Sequence, residues 1–75
     1  MHALEQMRRR AQLLLDDVRR VCGDAVACEM ESLISSDQYL GATSRGFCAL
    51  CARVGAAEAN RLLGAAHNAV FAEVQ

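Results

Sequence analysis

Apolar residues recur along this chain at helical spacing almost throughout. Leu4, Met7, Ala11, Leu14, Val18 and Val21 step by three and four residues, an a/d seam of about three heptads that predicts a first helix over Ala3 to Cys22. Glu5–Arg9 and Asp16–Arg20 stand four apart in the favourable order and are expected to pair along it. Gly23 supplies the stop and Asp24 the cap of a second helix, whose apolar face is Val26, Met30, Leu33 and Ile34. Ser35-Ser36-Asp37 weakens that helix, because these side chains compete for backbone hydrogen bonds, so it ends there or runs on to Leu40. Gly41 is the next stop signal, and Thr43 or Ser44 caps a third helix.

From Gly46 to Phe71 the pattern changes phase. Phe47, Leu50, Cys51 and Val54 form one sector of a helical wheel. Leu62, Leu63, Ala66, Val70 and Val74 form another, roughly 140° away. A straight helix cannot aim both sectors at one core. Either the helix ends or kinks near Gly55, or its two halves pack against different partners; the last helix runs from about Ala56 to Val74. Gly64 inside it costs about 1 kcal/mol relative to alanine, which would make sense if another backbone approaches there.

The fold class that follows is all-α. Three to four short helices pack as antiparallel hairpins, since the loops are short, in one domain over residues 1–75. Proline is absent and aromatics make up 4% of the chain, so the core is thin. A chain of this size buries only about 60% of its unfolded surface, and such folds commonly gain stability by oligomerising. A homodimeric bundle is therefore expected. All eight basic residues are arginine, which together with abundant alanine points to a GC-rich genome, bacterial or phage.

No apolar run reaches the roughly 18 residues of a membrane helix, and the arginines at 8–10 precede too short an apolar run for a secretory signal. The reading is a cytoplasmic protein with reduced cysteines. A net charge of −1 argues against nucleic acid as a partner across the whole surface. There is no nucleophile–base pair, no pair of carboxylates placed for acid–base work and no phosphate loop, so no enzyme and no cofactor are expected.

Three kinds of site remain. The first is a protein-binding face. Leu13 and Leu15 flank Leu14 and widen the apolar arc of the first helix beyond what one neighbour needs. Arg8 aligns with Arg19 three turns on, in a strip interrupted by acids that is expected to be largely self-paired. Arg8, Arg9, Leu13, Leu15 and Arg19 are the candidate contact residues for another protein, with the chain acting as a regulator, inhibitor or adaptor. The second is a helix-turn-helix alternative, with Gly55 in the turn and Asn60 and Arg61 reaching base edges. Arg61 stands where that motif wants an apolar residue. The third is a thiolate metal site of Cys22, Cys28, Cys48 and Cys51. Only Cys48 and Cys51 have ligand-pair spacing, and the simpler expectation for all four is that of small core hydrophobes. A thioredoxin-type redox role needs a strand before the Cys-x-x-Cys, which the preceding turn-like residues do not provide.

Overall fold

A computed structural model describes residues 3–37 and 44–74. It is all-helical: α1 spans Ala3–Cys22, α2 Asp24–Asp37, α3 Arg45–Val54 and α4 Ala56–Glu73, with no strand among the described residues. The helices form a ring. α1 packs on α2, α2 on α3, α3 on α4 and α4 back on α1. No described helix is long and apolar enough to cross a membrane.

Two single residues turn the chain. Gly23 has φ 95° and joins α1 to α2. Its N–H donates to the Arg19 carbonyl at 3.1 Å, and its own carbonyl accepts from Ala27 N at 3.3 Å. Gly55 (φ 89°, ψ 155°) does the same between α3 and α4. It donates to the Cys51 carbonyl at 2.8 Å and accepts from Ala59 N at 3.0 Å. In each joint one residue closes one helix and opens the next, in a backbone region that favours glycine. Asp24 therefore does not cap α2 as expected. Gly23 occupies the cap position, and Asp24 begins the helix and turns its carboxylate to Arg19 at 3.2 Å. Of the two candidate caps for α3, Ser44 is the one described. It is buried, and its Oγ accepts from Phe47 N at 3.2 Å. Thr43, the stop at Gly41 and a continuation of α2 to Leu40 lie outside the described residues.

The core is built from one stripe of each helix. Leu14 and Val18 come from α1, Ala27 and Met30 from α2, Phe47 and Leu50 from α3, and Ala59, Leu62 and Ala66 from α4. The break at Gly55 lets both out-of-phase sectors point at this one core: Phe47 and Leu50 before it, and Leu62, Ala66 and Val70 after it, are all buried. The heptad seam of α1 is buried only in its middle. Leu4 and Val21, near its two ends, are 44% and 48% exposed.

Arginines clip the helices together. Arg9 forks onto Glu73 (Nε to Oε1 3.0 Å, Nη2 to Oε2 3.1 Å), joining the early part of α1 to the last residue of α4. Arg19 reaches Asp24 at 3.2 Å and Glu31 at 3.4 Å, joining α1 to α2. Arg53 joins α3 to Glu29 of α2. The pairs expected along α1 are not the ones formed. Arg9 leaves Glu5 for Glu73, and Arg20 takes Asp17 at 3.1 Å in place of Asp16. The close approach expected at Gly64 is also not made among the described residues. A Cβ there would meet nothing within 4 Å.

Candidate functional site: a groove between α1 and α2

The 3.6-residue period brings Arg8, Ala11, Gln12, Leu15, Asp16 and Arg19 to one side of α1. The joint at Gly23 lays α2 beside them. Together with Glu31 and Ile34 of α2 they line a groove of about 380 Å³. Its apolar surface is Ala11, Leu15 and Ile34, and its polar edge carries Arg8, Arg19, Asp16, Glu31 and Gln12. Charges of both signs stand around an apolar strip. Arg19 is fixed by its two carboxylate partners across the joint. Arg8 is exposed. Such a lining is suited to an apolar side chain carried on a polar or charged segment, the arrangement found at the core and rim of protein interfaces.

Three of the five candidate contact residues, Arg8, Leu15 and Arg19, thus meet in one groove, and the alignment of Arg8 with Arg19 holds in three dimensions. The other two lie elsewhere. Leu13 is half-buried and packs against the chain's own core. The wide apolar arc of α1 is accounted for in large part by two neighbours within the chain, α2 and α4. Arg9 is bound to Glu73, with Nη1 on Gln12 Oε1 at 2.9 Å. The hydrogen bond from Arg9 holds the Glu73 carboxyl below its ordinary range and raises the guanidinium in return. Gln12 and Asp16 could be read from the α1 wheel alone. Glu31 and Ile34 could not, because their place depends on how α2 folds back across Gly23.

The helix-turn-helix residues are engaged inside α4. Asn60 Nδ2 donates to the Ala56 carbonyl at 2.9 Å. Arg61 forks onto Glu58, with Nε to Oε2 at 2.8 Å, and this hydrogen bond lowers the Glu58 pKa from its ordinary value. The joint before them is the single residue Gly55, shorter than the three or four residues of that motif's turn.

All four cysteines are free thiols. Cys22 and Cys51 are half-buried against the core, close to the expectation for small hydrophobes. Cys28 and Cys48 are exposed, and for them that expectation fails. A helical wheel gives a residue on a short helix two broad sides, and here the packing of α2 and α3 against each other and their neighbours left these two outside. Among the described residues, no group of three or more His, Cys, Asp or Glu is placed to hold a metal ion, so the four thiols do not converge on one site.

No protein-family profile matches the chain, and neither characterised proteins nor solved structures yield a match to it.

Proposed function

We propose that this protein is a non-enzymatic protein–protein interaction module, a small bacterial or phage regulator, inhibitor or adaptor of the cytoplasm, that takes a partner segment in the groove between α1 and α2. The observation that carries the reading is the meeting of Arg8, Leu15 and Arg19 with Ile34 and Glu31 around one concave strip. The apolar strip supplies the contact energy. The alternation of Arg8 and Arg19 with Asp16 and Glu31 selects partners whose charges are arranged in the opposite order. In this reading successive helices pack as antiparallel hairpins, which gives the groove a rigid floor, and the working form is a dimer.

A photo-cross-linking residue in place of Gln12, inside the groove, tests it against the same residue in place of Ala25, exposed on α2 and outside the groove lining. The expected result is a discrete cross-linked protein from the Gln12 position in cells, absent at Ala25 and lost when Arg8→Glu is added. Equal labelling at both positions would refute the groove as the binding face.

A further inference from the structure

A second surface lies away from the groove. The end of α4 meets the beginning of α1, and between them a cleft of about 200 Å³ is lined by Ala3, Gln6, Met7, Arg10, His67, Val70 and Phe71. Phe71 lines this cleft and yet is 58% exposed, the most exposed of the large apolar residues in the described chain. Val74, one turn further, is 38% exposed. The same patch therefore holds an apolar projection and an apolar recess side by side.

The α4 side of the cleft is poor in charge. Residues 62–72 contain no Asp, Glu, Lys or Arg, although such residues make up 23% of the chain. The cleft's own charged residue, Arg10, has its Nη1 at 3.4 Å from His67 Nδ1. Gly64, two turns before Phe71 on the same side of α4, faces open space.

We infer that this end of the molecule is the homodimer interface, with Phe71 of each copy seated in the α1/α4 cleft of the other. A two-fold contact must be self-complementary, because one patch supplies both sides and residues near the axis meet their own symmetry mates. A patch that carries both projection and recess meets the first requirement. A helix stretch without fixed charges meets the second along α4, where no like charges are brought together. Arg10 lies where its guanidinium can face the partner's Phe71 ring, a favourable cation–π arrangement. Gly64 removes the side chain that would hold a crossing helix away. The inference takes up the dimeric part of the proposal above and involves none of the groove residues.

Sedimentation equilibrium of the full chain in reductant tests it, alongside Phe71→Glu, Phe71→Trp and the groove variant Arg8→Glu. The expected result is a wild-type dimer with a Kd below about 100 µM, weakened at least about thirtyfold by Phe71→Glu and unchanged by Arg8→Glu. The chain has no native tryptophan, so Phe71→Trp gives a single reporter. Its emission is expected to shift to the red on dilution through the dimer's Kd, a readout that does not depend on how the glutamate variant folds. A wild-type monomer at about 100 µM, or a Phe71→Glu dimer as tight as the wild type, overturns the inference. Retention of the Gln12 cross-link in monomeric Phe71→Glu would show that the groove reading stands without the dimer, and loss of the cross-link alone would show the reverse.

Discussion

The chain turns twice on one residue, at Gly23 and at Gly55, and the two joints are held in different ways. Both glycines have positive φ, and both pass a hydrogen-bond ladder from one helix to the next without a loop. At Gly23 a charge clamp crosses the joint, because Arg19, four residues before it, holds Asp24 and Glu31 beyond it. At Gly55 the anchoring is indirect. Arg53 ties α3 to α2 through Glu29, while Arg61 pairs with Glu58 inside α4. The angle between α3 and α4 is set by apolar packing on both sides of the glycine, with Phe47 and Leu50 before it and Ala59 and Leu62 after it. The same backbone device thus serves two purposes. At Gly23 it lets α2 lie beside α1 and form the groove. At Gly55 it rotates one apolar sector into register with another.

Core truncation should affect both halves most and alike. Leu14→Ala and Leu62→Ala remove side chains that are 0% and 2% exposed, and each is expected to cost about 2–5 kcal/mol in urea unfolding. A much smaller loss for Leu62 would mean that the α3–α4 half can collapse around a cavity and is the softer of the two.

The joints come next. Gly55 combines φ 89° with ψ 155°, a region that side chains avoid, so Gly55→Ala is expected to destabilise by about 1–3 kcal/mol although no atom stands in the way of the new Cβ. Gly23→Ala should cost at least about 1 kcal/mol for the same reason. With apolar packing on both sides of Gly55 setting the α3–α4 angle, Gly55→Ala should also increase amide hydrogen exchange in α3, whereas Gly23→Ala should leave α2 protected by the Arg19 clamp. Equal exchange at both joints would remove the distinction.

The clamp itself is a surface feature. Arg19→Ala is expected to cost no more than about 1 kcal/mol at low salt, and the loss should shrink as salt is added, since the pairs are largely exposed.

The smallest effect is that of pH on the tie between α1 and α4. Arg9 depresses the folded-state pKa of Glu73 below the ordinary glutamate value of 4.5. The unfolded chain therefore binds more protons than the folded one in the window beneath that value. The contribution is fully present above pH 4.5 and is lost as pH falls through the folded-state pKa. Glu73→Gln should flatten this part of the stability–pH curve and leave the curve above it parallel to the wild type.

The candidate groove was half legible in the sequence. Arg8, Leu15 and Arg19 are related by helical period alone, and that relation survives folding whatever α1 packs against. Leu13 and Leu15 both pack in part against the chain's own core, and Leu15 alone of the two also lines the groove, because a broad apolar arc has the same appearance whether its second neighbour is another molecule or another helix of the same chain. Arg9 pairs with Glu73 and not with Glu5, its nearest carboxylate along the sequence, because the fold brings Glu73 into bidentate geometry. The exposure of Cys28 and Cys48 had no sequence signal, since a cysteine satisfies either side of a helix.

By itself the sequence determined where the chain is helical and where it turns. The periodicity over α1, a cap at Thr43 or Ser44, the stop at Gly23 and the phase change near Gly55 are local, because helix hydrogen bonds, caps and glycine conformations involve residues within a turn or so of one another. The tertiary structure alone decided which carboxylate each arginine holds, which side of α1 became a groove, and that Phe71 stands at the edge of a cleft. Those outcomes depend on long, flexible or neutral side chains choosing among groups that are brought within reach only when distant helices pack.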